Sequence, residues 1–506
     1  MASEVDASGE SSPPASAAEV DTAPEVRSRL RLIRHTILAS MVVLVAMLGY
    51  RQLARSAEYS ELERRQTLRR VIVPAPRGVI YDREHRVLAG NRVRGTDALN
   101  RTPERWYPQG NAAAHVLGRV RREMIRTPNG PDFPTLNYTG MRGDFGIEKQ
   151  HDARLQGSTG SKTMRVDAFG SVVGDPLENH DPIAGEDVVL SLDLDLQLAA
   201  ERAMSATPGV PRGAAVALAI KTGEVLVMAS KPDFDLNRVS PVLGAQTKQR
   251  IDAEGGWLNR ATQGLYPPGS SFKLITVIAG LRSGTLRPDP VYRCNGFIEI
   301  GDRRFPCHNP AGHGDVSLRT GLAHSCNVFA YHTGLAAGPD ALAIEARRFH
   351  LGEPTGVDLP FETQRMLVPD PAWKEASGRG AWTTGDTINL AIGQGFLRYS
   401  PLQAACATAS FARRETLTVP TLLRSPERRP SGDRPAELLG LTDRDYSALV
   451  EGLRAVVETG IGRDAQVPGV TIAGKTGTAQ VTRPEGMMNI AWFIAFAPVE
   501  DPQIAV

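Results

Sequence analysis

A single run near the start of this chain restricts where the rest of it can fold. From Thr36 to Tyr50, TILASMVVLVAMLGY, fifteen consecutive residues carry no charge, and RSRLRLIRH stands in front with Arg27, Arg29, Arg31 and Arg34. A helix needs roughly 20 apolar residues to cross a bilayer. Leu30, Leu32 and Ile33 make up the shortfall when the neighbouring arginines reach back toward the headgroups, so a membrane span is expected over 30–52. Four arginines precede the run, and only Arg51 and Arg55 follow closely, which orients the N-terminus toward the cytoplasm. Residues 1–26 hold six acids, no Lys or Arg, and much Ser, Ala and Pro. That composition buries no core and reads as a disordered tail, extending to residue 29. A cleaved signal peptide is the alternative, because LARSA follows the apolar run. A buried core helix fits poorly behind such a tail. The expectation is a single-pass protein of the inner (cytoplasmic) membrane with its bulk outside the cytoplasm.

At 506 residues the chain is too long for one ordinary domain. A net charge of +2 argues against a nucleic-acid binder. Residues 58–70 read as a charged helix, followed by the β-rich VIVPAPRGVIYDREHRVLAGN with a turn at Asp82–His85. From there Gly and Pro interrupt the chain often, and residues 53–205 are expected to form an irregular, mainly β domain. Leu194–Met204 is a helix leading into a second domain, 206–506. That domain opens with GAAVALAI and EVLVMAS, separated by Lys221-Thr222-Gly223. Two β-rich runs with a glycine able to take positive φ between them make a hairpin. A second apolar pair, VTIAG and NIAWFIAFAP, lies near the other end, with helical segments between. Strands at both ends and helices in the middle predict an antiparallel sheet flanked by helices, an α+β domain.

Only eight of the basic residues are lysines, against fifty arginines, so each lysine is worth locating. In YPPGSSFKLITVIAGL, Ser270 opens an apolar helix and Lys273 stands one turn on, sharing its face. A serine hydroxyl is a poor nucleophile until a base takes its proton. A lysine is that base only when burial or another cation lowers its pKa. A capping serine and a surface lysine would give the same letters. In HSCN, Ser325 can relay a proton and Asn327 can hold a substrate amide, although the string alone is little more than a helix cap. In TIAGKTGTAQ, Lys475 follows a β-branched run and Gly477 lets an extended substrate lie against the strand. The Thr478 N–H can join that of Ser270 to stabilise an oxyanion. Each pattern is weak alone. In this order and spacing, Ser-x-x-Lys, Ser-x-Asn and Lys-Thr-Gly are jointly strong. The Lys221 copy of Lys-Thr-Gly is explained by its turn.

Cys294, Cys307, Cys326 and Cys406 are too few for a disulfide scaffold. Cys294 and Cys307 are spaced to bridge in an oxidising compartment, and Cys307-His308 with His313 could instead suggest a metal. The plainer reading, without metal or other cofactor, is preferred.

With these motifs the chain resembles the class B penicillin-binding proteins, monofunctional peptidoglycan transpeptidases. The likeness runs from about residue 70 onward through PAPRGVIYDREHRVLAGN, RWYPQGNAAAHVLGRV, GIEKQHDARLQGSTG, SLDLDLQ, KTGEVLVMASKPDFDLN, NRATQGLYPPGSSFK and AGKTGTAQ. AWTTGDTINLAIGQGFLRYSPLQ and the region of Cys294, Cys307 and AGHG look more like the elongation subgroup than the division one. The resemblance implies a pedestal over 53–205 and a transpeptidase domain over 206–506. It implies Ser270 as nucleophile, Lys273 as base, Ser325 and Asn327 as second motif, and Lys475, Thr476, Gly477 and Thr478 as third. The implied substrates are D-Ala-D-Ala stem peptides of peptidoglycan, with β-lactams as covalent inhibitors. The implied partners are a SEDS-type glycan polymerase in the membrane and other elongation proteins. The family continues beyond DPQIAV with the rest of that strand and a helix, so the transpeptidase domain is expected to be C-terminally incomplete. A β-lactam-hydrolysing or β-lactam-sensing relative is one rival. Against it, no E-x-x-L-N glutamate follows Ser325, and a sensor would need further spans. A catalytically silent scaffold of the elongation machinery is the other, and penicillin labelling separates it from an enzyme.

Overall fold

The computed structural model describes residues 24–94, 102–129, 133–167, 169, 171–287, 291–483 and 486–506. The expected tail over 1–29 lies, up to residue 23, outside the described residues. The chain divides into two compact units, Met1–Val71 with Lys162–Glu178, and Ile72–Ser161 with Asn179–Val506.

The first unit begins with helix α1 (Pro24–Gly49), which buries none of its side chains, and a single π-helical turn, Tyr50–Ala54. Together they form one 31-residue helix of mean hydropathy 1.9 in its apolar window, long and apolar enough to cross a membrane. Helix α2 (Ser56–Thr67) follows and gives way to a strand at Leu68. The charged helix expected to reach residue 70 therefore stops earlier, because Leu68-Arg69-Arg70-Val71-Ile72-Val73 joins a three-stranded sheet instead.

The second unit has an N-terminal part of short strands organised around buried charge. Arg77 and Arg105 are almost wholly buried, and both reach Glu148, at 2.6 and 2.5 Å; Arg77 also meets Asp152 at 2.7 Å. Burial alone would raise the Glu148 pKa, but the two guanidiniums outweigh it and hold it below the usual range. Helix α3 (Leu194–Ala206) starts where the Asp193 carboxylate accepts from the Asp195 and Leu196 amides.

A five-stranded antiparallel sheet carries the rest. Its strands are β1 (Gly213–Ala219), β2 (Val225–Lys231), β3 (Ala473–Arg483), β4 (Gly486–Ala497) and β5 (Ile504–Ala505), in the order β2-β1-β5-β4-β3. The Lys221-Thr222-Gly223 segment is the β1–β2 turn: Gly223 has φ +74°, and exposed Lys221 pairs with Asp501 at 3.0 Å. Helix α4 (Lys273–Arg282) is buried along nine of its ten residues, Lys273 to Leu281. An apolar helix without a polar face belongs inside a core, and this one fixes the position of everything at its N-terminus. Helices α5 (Leu318–Ala323), α6 (Asn327–Ala337), α7 (Pro401–Ala412) and α8 (Asp443–Glu458) complete the α+β architecture. Capping boxes at Ser317/Thr320 and Ser400/Gln403 set where α5 and α7 begin.

Candidate active site

Three chain segments meet at the N-terminus of α4. Ser270 is not in the α-helix itself but in the 3-10 turn Gly269–Phe272, and Lys273 is the first α-helical residue. Strand β3 presses against this turn. A Cβ on Gly477 would lie 2.8 Å from the Pro268 carbonyl and 2.9 Å from the Ser271 nitrogen. One on Gly269, itself at φ +56°, would lie 2.6 Å from the Thr478 carbonyl. Only glycine permits so close an approach. Behind the turn, Trp492 on β4, the register partner of Gly477, donates from Nε1 to the Pro267 carbonyl at 3.0 Å. Tyr266 and Tyr399 pack edge-on against its ring. The Gly269 amide donates to Gly393 at 2.9 Å. Sequence reasoning singled out neither Trp492 nor Gly393 for this bracing.

The expected residues converge. Lys273 Nζ donates to the Ser325 carbonyl at 2.6 Å and to Asn327 Oδ1 at 2.8 Å, and lies 3.3 Å from Ser325 Oγ. Lys475 Nζ reaches the same Ser325 Oγ at 2.9 Å and the Thr476 carbonyl at 2.9 Å. Both lysines are fully buried. Burial lowers the Lys273 pKa from 10.5 to about 7, against an opposing influence of Cys326 and Cys307. Burial, and then the neighbouring Lys273 charge, hold Lys475 well below its ordinary value. Two amines sharing one hydroxyl in a dry site cannot both hold a proton cheaply, so this is a place where a proton can be taken up and passed on. Ser270 Oγ makes no hydrogen bond to any described residue; Thr476 Oγ1 is buried and without a partner among them. Both point to groups that act on something bound. Thr478 is exposed on β3.

Ser325 has φ +52°, a conformation that costs a non-glycine residue roughly 1 kcal/mol or more and is often found at functional sites. It is held there by its neighbours. Cys326, not Ser325, caps α6, its sulfur accepting from the Phe329 amide at 3.5 Å.

That cysteine belongs to a cluster that the metal-free reading of the sequence did not anticipate. Cys294, Cys307, His313 and Cys326 bring one donor atom each to within 4.8 Å of one another. His313 Nδ1 lies 3.6 Å from both the Cys294 and Cys307 sulfurs, and Cys307 and Cys326 are 4.0 Å apart. All four cysteines are free thiols, so the considered Cys294–Cys307 bridge is not formed. Three sulfurs and an imidazole are the donor set of a tetrahedral zinc site. The sequence reading passes over Cys326 as a donor because it lies inside the Ser-x-Asn motif. The ladder pairing Cys294 with Gly314 brings 294 and 313 together across the chain.

Comparison with known proteins agrees with this geometry. Residues 213–506 match the family of the penicillin binding protein transpeptidase domain, and 93–190 match the penicillin-binding protein dimerisation domain. The chain belongs to the penicillin-binding protein transpeptidase family. The peptidoglycan D,D-transpeptidase MrdA of Acinetobacter baumannii is 33% identical over 426 residues, which cover 79% of this chain. The match spans 62% of that relative's length. Among solved structures, PBP2 of Pseudomonas aeruginosa in complex with WCK 5153 superposes with a TM-score of 0.70 at 31% identity, covering 86% of this chain and 90% of that one. The complex of PBP2 with MreC from Helicobacter pylori gives 0.71 at 26% identity, covering 87% and 94%.

Proposed function

We propose that this chain is a serine-type D-Ala-D-Ala transpeptidase that cross-links peptidoglycan stem peptides during cell-wall elongation and is trapped by β-lactams. The observation that carries the reading is the meeting of two buried lysine amines on Ser325 Oγ beside the turn that holds Ser270. Ser270 Oγ attacks the carbonyl of the penultimate D-Ala, and its proton passes to the neutral amine of Lys273. The Ser270 and Thr478 N–H groups face the oxyanion, the kind of contact whose removal costs about 10²-fold or more. The C–N bond then breaks, the leaving D-Ala takes a proton relayed through Ser325, and an ester on Ser270 remains. An amine of a neighbouring stem attacks that ester, Lys273 again accepts and returns the proton, and the amide cross-link forms. Asn327 orients the substrate amide, while Lys475, Thr476 and Gly477 receive its carboxylate and backbone along β3.

Residues 206–506 act as the catalytic domain and 53–205 as its pedestal. The N-terminal helix anchors the chain in the cytoplasmic membrane, N-terminus inside and active site outside, as the arginines before the span favour. Partners are a SEDS-type glycan polymerase and elongation-complex proteins of the MreC kind, in keeping with the Helicobacter complex. Labelling with a fluorescent penicillin tests the reading. The wild type takes up one adduct and Ser270→Ala none; a folded wild type that stays unlabelled would sink the proposal.

A further inference from the structure

The same compact unit holds a cavity of about 190 Å³ that the proposed chemistry does not use. That is roughly six water volumes, room for one sugar ring. His115 and Phe145 line it from the N-terminal part of the unit; Trp257, Asn259, Thr262 and Phe361 line it from the C-terminal part. Trp257 and Phe145 meet edge-on at 6.2 Å. Phe361 is 58% exposed and has φ +68°, a conformation unfavourable for a bulky side chain. It is nevertheless pinned: Gln263 Nε2 donates to its carbonyl at 2.9 Å, and Lys149 Nζ stands 4.3 Å from its ring centroid.

Three polar residues of the lining, His115, Asn259 and Thr262, are buried. Thr262 is 3% exposed, and its hydroxyl makes no hydrogen bond to a described residue. Asn259 is 7% exposed, and its Nδ2 has only the Met228 sulfur, a poor acceptor, at 3.9 Å. His115 Nε2 donates to the Gly256 carbonyl at 2.6 Å, which leaves Nδ1 as an acceptor. Burial lowers its pKa to about 4, so the ring is neutral. No acidic residue lines the cavity among those described. Aromatic faces beside neutral donors and acceptors suit a ligand with a C–H face and an equatorial rim of hydroxyl or acetamido groups.

We propose that this cavity is a saccharide subsite holding one N-acetylated pyranose of a glycan strand. The choice of glycan rests on the transpeptidase reading, since the stem peptides that reach Ser270 are carried on that polymer. The lining segment Asn259–Gln263 runs directly into the Ser270 turn, so both ends of one substrate chain would meet one stretch of protein. The test is calorimetric titration with tri-N-acetylchitotriose, a peptide-free glycan, before and after acylation with penicillin. Saturable binding is expected in both states. It should weaken roughly fivefold to tenfold in Phe361→Ala, the scale of one lost aromatic contact, and also weaken in Thr262→Val, with penicillin acylation unchanged in both variants. Protein that acylates normally but shows no saturable binding overturns the subsite and leaves the enzyme reading intact. So does binding that acylation abolishes, or binding that neither variant weakens. Saccharide binding in a protein that never acylates would do the reverse.

Discussion

Replacing Gly477 by alanine probes how closely β3 and the nucleophile turn must approach. The added methyl would sit 2.8 Å from the Pro268 carbonyl oxygen, 2.9 Å from the Ser271 nitrogen and 3.1 Å from Trp492 Cβ, where ordinary contact begins at 3.4 Å. The first two are backbone atoms, and no flexible side-chain end can swing aside. The strand and the turn must separate by roughly half an ångström. Overpacking of this kind costs about 1–3 kcal/mol of stability, within a typical margin of about 5–15 kcal/mol, so the variant folds. Misplacement by about 1 Å costs about 10²-fold in rate, so half of that predicts acylation roughly tenfold slower. Gly474→Ala is the control. Its methyl is equally crowded, by the Ile494 carbonyl, Ala495 and Phe493, but none of these belongs to the turn. Acylation rates with a fluorescent penicillin, read beside thermal melts, separate the two effects. Equal slowing in both variants, or wild-type acylation in Gly477→Ala, would refute the close-approach argument.

The two Lys-Thr-Gly copies should respond differently. Lys221 is exposed, and its surface pair is worth about 0–1 kcal/mol, so Lys221→Ala leaves acylation intact. Lys475→Ala slows it about 10²-fold or more, the scale of one preorganised contact; equal effects would reverse the assignment. Because Lys273 must be neutral to accept a proton and its pKa is lowered to about 7, acylation should rise through that pH and fall about tenfold per unit below it. A rate flat between pH 5 and 8, measured on folded protein, removes Lys273 as the base. Protein purified under reducing conditions should carry about one zinc per chain by elemental analysis, lost in Cys294→Ser together with some thermal stability. Metal-free wild type with an unchanged melt on zinc addition would show the thiols to be structural only.

Local patterns announced the fold well. Gly223 between two β-rich runs marked the first hairpin, and the uninterrupted apolar run after Lys273 marked a buried helix. The motif order placed Ser270, Lys273, Ser325 and Lys475 together because each stands at the start of an element, and the core brings those starts to one point. Spacing did not convey the 3-10 form of the Ser270 turn, since a serine three residues before a lysine fits either helix type. Nor did it convey the left-handed Ser325, which stands in the turn closing α5, where the Cys326 amide donates to the Gly321 carbonyl at 2.8 Å. The Trp492 brace is a long-range juxtaposition for which a single sequence carries no signal, and the sulfur–imidazole cluster was legible only in part, through Cys294, Cys307 and His313 without Cys326.

The sheet has a consequence for how such a protein comes into being. Strand β5 lies between β1 and β4, so Leu218 finds its partner in Ala505, across roughly three hundred intervening residues. Until that segment has joined, β1 has an open edge, and the two hairpins of the sheet are not yet continuous. Newly made chains should therefore pass through a slow-maturing interval in which that open edge needs protection from aggregation.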